Sequence, residues 1–369
     1  MQTRHNPRAR ALLGLLLLAL ASCNYAARCE GVLCNPLNAV IFLARPIGLP
    51  DTGQTQCYDA AGTVTACAGT GQDGAYALPV PYVLYNTVND GNVGQLLGLD
   101  LLWQRCSYGK SGGACTGTAV STVTRTQAFS ICTGVAVGDR AWRVPSAREF
   151  HLLTYYGDSS VALAQNFFPN SPSGTNVYHW TSTAPVATPA NTLLMSARYG
   201  FLASQSNALA ADTHVRCVAG PEQALPTYAR SNETEPVVTD LSTGLTWMLC
   251  ALKAGGVADT TASCTGPAPA NLTQANGLAF CESLTYAGAS DWRLPNIREL
   301  YSLMDLTVTT NPSINSSAFP PNPSATVYWS STIDISAPLN AYGVDVSDGS
   351  TGQYVRAATI GDARCVRGP

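Results

Sequence analysis

The sequence predicts a disulfide-stabilised α+β protein built from two tandem copies of one domain behind a short leader. Three observations predict it. The chain repeats itself at a spacing of about 148 residues, each copy reads as a hairpin, two short helices and then short strands, and four cysteines recur in each copy.

The repeat is carried by separated motifs in one order. Trp103-Gln-Arg-Cys106 returns as Trp247-Met-Leu-Cys250, and Cys115 as Cys264. Trp142-Arg-Val-Pro-Ser-Ala-Arg-Glu-Phe150 returns as Trp292-Arg-Leu-Pro-Asn-Ile-Arg-Glu-Leu300. His179-Trp-Thr-Ser-Thr183 matches Tyr328-Trp-Ser-Ser-Thr332, and Arg216-Cys-Val218 matches Arg364-Cys-Val366. A unit of this size is a globular domain rather than a solenoid turn. The resulting division is a signal peptide at 1–22, a leader at 23–89, a first domain at 90–220, a linker at 221–236 and a second domain at 237–369. The linker is assigned on its Pro, Glu and Thr content.

Each element follows from local chemistry. Val237 to Trp247 holds two β-prone runs around Ser-Thr-Gly, a hairpin signal. Thr273 is placed to cap a short helix that runs to Cys281. Ser146-Ala-Arg-Glu149 and Asn296-Ile-Arg-Glu299 have the capping-box form, with Glu three residues after the cap. Apolar positions then follow at helical spacing: Phe150 and Leu153, and Leu300, Leu303 and Met304. Val327-Tyr-Trp, Ala341 to Asp345 and Gln353-Tyr-Val-Arg alternate as strands, with a turn at Asp348-Gly349.

Composition narrows the function. The chain has 369 residues, 12% of them charged, and 32 Gly and 23 Pro, which excludes long charged helices and coiled coils. Only two of the 20 basic residues are Lys (Lys110 and Lys253), and the net charge is −3. A basic stripe for nucleic acid is therefore not expected. Arg4, Arg8 and Arg10 precede the apolar run Ala11–Ala21, a secretory signal too short to span a membrane. The run ends in Leu20-Ala-Ser-Cys23, which resembles a bacterial lipobox and would make Cys23 the lipidated N-terminus. Ordinary cleavage after Ala19-Leu-Ala21 is the alternative. Loss of residues 1–22 takes the net charge to −6. The expected location is the bacterial cell envelope: exported, held at the outer membrane or cell surface by lipid alone.

The chain has 13 cysteines, so lipidation of Cys23 leaves an even number in an oxidising compartment. The repeat then favours Cys106–Cys115 with Cys132–Cys217, and Cys250–Cys264 with Cys281–Cys365. Proximity favours Cys29–Cys34 and Cys57–Cys67. Metal binding is the rival reading, but no pair has the C-x₂-C spacing of zinc sites.

With Trp-Arg-Leu-Pro-Asn-x-Arg-Glu-Leu, Tyr-Trp-Ser-Ser-Thr and the final Arg-Cys-Val, the second copy resembles the Lcl C-terminal domain family of bacterial extracellular modules. Residues 237–367 are covered nearly end to end, and the first copy is a weaker match. The resemblance implies a C-type-lectin-like fold and surface binding or adhesion. A sulfated-sugar ligand, which it also suggests, fits an acidic chain poorly. It implies no catalytic residue and no cofactor.

The candidate ligand-binding residues are Arg143, Trp180, Arg293 and Trp329, from matched motifs that could contact a sugar. The plainer readings are internal ion pairs for the arginines and core positions for the tryptophans. Glu149 and Glu299 are explained by helix capping. His151, His179 and His214 formally allow a zinc site, and Asp345 with Asp348 a calcium site, but turn chemistry accounts for Asp348 and neither metal is expected. The sequence thus points to a non-catalytic surface lipoprotein that binds a glycan or a protein partner. A structural envelope component is the alternative, and an envelope enzyme a lesser one.

Overall fold

The computed structural model describes residues 49–78, 82–85, 93–96, 101–137, 140–186, 188–207, 212–231, 234–252, 258, 260–261, 263–264, 272–308, 313–320 and 327–368. The signal peptide, Cys23 and the Cys29–Cys34 pairing lie outside them.

The leader contributes a two-stranded hairpin, β1 (Cys57–Tyr58) and β2 (Val64–Thr65), followed by a 3₁₀ turn at Asp73–Tyr76. The Asp59 carboxylate shapes the hairpin loop by accepting from Ala61 N at 2.9 Å and Thr63 N at 2.8 Å.

The first repeat runs β3 (Tyr82–Tyr85), β4 (Val93–Leu96), β5 (Leu102–Gln104), α1 (Arg125–Thr133), β6 (Trp142–Arg143) and α2 (Ala147–Leu153). It continues with β7 (Val177–His179), β8 (Asn191–Ser196), β9 (Leu202–Ser206), β10 (Asp212–His214) and β11 (Val218–Ala219). These strands form two sheets, ordered β3-β4-β5-β11-β6 and β10-β7-β8-β9.

The second repeat runs β12 (Tyr228–Ser231), β13 (Val237–Asp240), β14 (Thr246–Met248), α3 (Gln274–Ser283) and α4 (Ile297–Ser302). Then follow β15 (Val327–Ile333), β16 (Asn340–Asp345), β17 (Thr351–Val355), β18 (Gly361–Asp362) and β19 (Val366–Arg367). Its sheets are β12-β13-β14-β19 and β17-β16-β15-β18, the same plan, with β6 reduced to a single bridge between Arg293 and Val366. In both repeats the last strand returns to the opening hairpin, so each unit closes on itself. The one parallel pair also recurs, β10 on β7 and β18 on β15.

The α+β, C-type-lectin-like expectation is corrected by this architecture, which is mostly β. The four described α-helices have 9, 7, 10 and 6 residues and sit on four sheets of four or five strands. Capping boxes mark where helices begin but not how far they run. Ser146 and Asn296 do cap α2 and α4 as expected, yet helices of two turns are marginal alone and persist only by packing on a sheet.

Two segments also depart from their expected place. Tyr228–Ser231, inside the stretch read as linker, pairs antiparallel with β13, because its Tyr-Ala-Arg-Ser run can form a strand between the flanking prolines. Tyr82–Tyr85, inside the stretch read as leader, is an edge strand of the first repeat.

The repeats are not independent beads. One core cluster contains Trp103, Phe150 and Leu193 of the first together with Trp247, Leu300 and Tyr342 of the second. Equivalent arginines cross between them. Arg148 of α2 donates to Ser302 O at 3.0 Å and to Met304 O, while Arg298 of α4 donates to Thr154 O. Thr154 and Met304 are themselves equivalent, so the contact is reciprocal, as in a symmetric dimer. The equivalent rings His151 and Tyr301 meet there with centroids 4.6 Å apart.

Candidate functional site

The four residues singled out by sequence do not converge. Trp180 and Trp329 are 1% and 0% exposed, and their indole N–H groups donate to Val123 O at 2.6 Å and Leu272 O at 2.7 Å. They are core residues with a satisfied polar end. Arg143 and Arg293 each clasp a carboxylate through two bonds, Glu149 at 2.7 and 2.6 Å and Glu299 at 2.7 Å twice. Each glutamate also accepts from its own helix cap, Ser146 N at 2.8 Å and Asn296 N at 2.9 Å. The Trp-Arg-x-Pro-x-x-Arg-Glu motif is therefore a brace: its first Arg holds the capping Glu, and its second Arg reaches the other repeat. Burial opposes the charge on Arg293, but Glu299 outweighs it and holds the guanidinium above its ordinary value.

The histidines are also apart. His151 lies between the repeats with Nε2 2.9 Å from the Tyr156 hydroxyl. Burial, with the Arg298 and Arg148 charges, pushes it down to about 3. His179 and His214 are neighbours, ring centroids 5.9 Å apart, and both are held below the usual imidazole range by burial first. Among the described residues no group of His, Cys, Asp or Glu is arranged to hold a metal ion. Asp345 and Asp348 accept from Ser347 N at 2.9 Å and Ser350 N at 2.8 Å, which makes both of them turn residues.

Bridges form between Cys57 and Cys67, Cys106 and Cys115, Cys132 and Cys217, Cys250 and Cys264, and Cys281 and Cys365. The two long ones, spanning 85 and 84 residues, tie the first helix of each repeat to the segment before its last strand.

A cavity lies elsewhere, beside the Cys106–Cys115 clip of the first repeat. It holds about 370 Å³ and is lined by Gln104, Tyr108, Lys110, Ser111, Val137 and Trp142, among others. Its wall is a loop closed by the disulfide and by two bonds between Ser111 and Thr116, each 3.0 Å. Gly109 has φ +93°, and a Cβ there would meet Thr118 O at 2.7 Å, so only glycine lets the loop fold back on itself. Arg216 supports the loop from beneath, donating to Gln104 O at 2.6 Å, Ser107 Oγ at 3.2 Å and Ser171 Oγ at 2.9 Å. Burial, with Arg105 nearby, pulls Arg216 down to about 9, so it stays charged at neutral pH.

Trp142, 4% exposed and part of the first repeat's core, borders the cavity, its Nε1 donating to Val137 O at 2.8 Å. Tyr108 is 43% exposed at the rim, next to Val120 at 42%. Lys110 is tethered there by its Nζ donating to Asn170 O at 2.7 Å. The lining combines aromatic faces, an amide, hydroxyls and one ammonium, a set suited to stacking and hydrogen bonding. Trp142 is a core residue as well as a lining one, and sequence reasoning did not single out Tyr108 or Lys110. The available signal was a rare lysine beside Gly112-Gly113 inside a ten-residue cysteine loop.

A family model described as the Lcl C-terminal domain matches the chain twice, at residues 97–219 and 236–367. No curated protein and no solved structure matches the chain.

Proposed function

Given that the chain belongs to the Lcl C-terminal domain family, with both repeats matched, we propose that it is a non-catalytic recognition protein of the bacterial cell surface. Five disulfides are consistent with an exported protein, and no helix among the described residues is long and apolar enough to cross a membrane. In this reading lipid on Cys23 supplies the anchor, and mass spectrometry of the mature N-terminus tests it: an unacylated Cys23 refutes the anchor.

The observation that carries the recognition role is the cleft beside the Cys106–Cys115 clip. Its exposed Tyr108 and its rim Lys110 offer a stacking face and directional donors. A glycan unit, or a side chain of a partner protein, is the occupant of matching size and chemistry. Because the repeats share a core, the test uses the full chain. Binding to a glycan array and to envelope protein fractions is compared with that of Tyr108→Ala, whose exposed site leaves stability within about 0.5 kcal/mol. A drop of tenfold or more is expected. Equal binding by the variant removes the cleft from the function.

A further inference from the structure

A buried carboxyl group of the leader, Asp73, meets the second repeat. Asp73 is 2% exposed. Its Oδ2 accepts from Thr52 Oγ1 of the leader at 2.8 Å and from Thr332 Oγ1 of β15 at 2.6 Å. The Thr332 hydroxyl in turn accepts from Ile297 N at 3.0 Å, the first residue of α4. Thr183 is the equivalent residue in the first repeat. It accepts from Ala147 N at 2.9 Å in the same way, but no carboxylate reaches it among the described residues. The arrangement is therefore an addition of the leader and not a requirement of the domain.

Around this point the leader is clamped by further contacts, one of them to a buried guanidinium. The Gln54 amide pairs with both backbone groups of Ile333, at 2.7 and 2.9 Å, in the manner of a neighbouring strand. Tyr156 N donates to Thr52 O at 2.8 Å, and Arg298 donates to Pro50 O at 3.0 Å and to Asp51 O. Gly53 has φ +83°, and a Cβ there would meet the Tyr155 ring at 2.0 Å, so the leader threads close under the first repeat.

We propose that Asp73 is a protonation-controlled latch that holds residues 49–78 on the two repeats more tightly in mildly acidic than in alkaline surroundings. The charged and titratable groups facing it are Asp51 from the leader, Glu299 with its partner Arg293 from the second repeat, and Tyr156 from the first. Asp51 is engaged with Gly53 N at 2.7 Å and Leu78 N at 2.9 Å, and Glu299 is neutralised by Arg293. Neither supplies a cation to Asp73, and no cation donates to it among the described residues. Burial outweighs the two hydroxyl bonds and pushes its carboxyl up to about 7.

The sign follows. A carboxylic acid raised above its free value favours the docked leader while protonated. That advantage is complete below about pH 4 and gone once the pH has risen through about 7. The docking equilibrium would weaken by up to about a thousand-fold across that window. With its Cys57–Cys67 bridge intact, a loosened leader could span up to about 70 Å.

The test is amide hydrogen exchange of the full chain at pH 5 and 8.5, expressed as protection relative to the free peptide at each pH. Protection across 49–78 should fall at least tenfold at the higher pH, while that of α2 does not follow it. Asp73→Asn, neutral at both, should abolish the difference. A leader whose protection is the same at both pH values, or an Asp73→Asn protein that still shows the fall, overturns the latch. If Asp73→Asn does not fold, the wild-type carboxyl ¹³C shift decides: a midpoint near 7 supports the latch and one near 4 refutes it.

Discussion

Where the first repeat carries His151, His179 and His214, the second carries Tyr301, Tyr328 and Asp362, on the same strands and helix. The surrounding frame is unchanged: a Trp with its N–H on a loop carbonyl, an Arg–Glu brace at the helix cap, and a long bridge from helix to closing strand. What the fold needs is therefore separable from what varies on it. Three substitutions reverse the acid–base character of one interior without moving its backbone plan. The leader then distinguishes the repeats again, packing Tyr76 over Arg293 at 5.3 Å in the second, while Arg143 of the first keeps a more exposed side chain.

The largest effect tests the shared frame. Opening Cys132–Cys217 or Cys281–Cys365 by paired Ser substitution should cost about 4–5 kcal/mol in either repeat, because the closed loops are almost equal. Urea unfolding of the two variants should shift by the same amount, and a clear inequality would show that the frames are not energetically equivalent.

The next effect tests the difference. His151, lowered to about 3, favours the fold while neutral; that stability is complete above about pH 6.5 and is lost as the pH falls toward 3, reaching about 3 kcal/mol by pH 4. Asp362 has the opposite sign. Burial raises it to about 7, so its contribution is complete below about pH 4 and is lost as the pH rises through 7. Residue-resolved exchange should show the first repeat loosening in acid and the second above neutrality. His151→Phe should reduce the acid limb and leave the share of His179 and His214, and a parallel response of the two repeats would falsify the assignment.

The reciprocal arginines give a smaller contrast. Arg298 is 1% exposed and serves three carbonyls, two of them in the leader, whereas Arg148 serves two. Arg298→Ala should cost about 3 kcal/mol and Arg148→Ala about half that, measured by denaturant midpoint. Gly200→Ala and Gly349→Ala should be matched at about 2 kcal/mol. Both sit at φ near +74°, and the added Cβ would meet Thr154 Cγ2 at 2.1 Å or Leu306 Cδ2 at 2.4 Å. Unequal melting shifts would mark a local departure from the symmetric plan.

Much of this molecule was legible because a repeat lets one copy check the other. The helix starts at Ser146 and Asn296 and the pairing within each repeat follow from side-chain chemistry that acts within a few residues or recurs at a fixed offset. The fold class was misjudged for a physical reason: caps announce helices strongly, while strands as short as Val218–Ala219 or Gly361–Asp362 leave almost no periodic signal and exist only through their partners. The cleft was hidden for a related reason. Tyr108 lies about thirty residues before Val137 and Trp142 and lines one cavity with them only in the folded chain.

The sequence alone determined the two-copy organisation, the helix starts at Ser146 and Asn296 and the disulfide pairing within each repeat, since these rest on local pattern and covalent chemistry. Tertiary structure decided which residues face a cavity, that the repeats share a core through Arg148 and Arg298, and that the leader is docked at Asp73. Those outcomes depend on burial and on contacts between residues from about thirty to more than two hundred positions apart, and no local pattern encodes them.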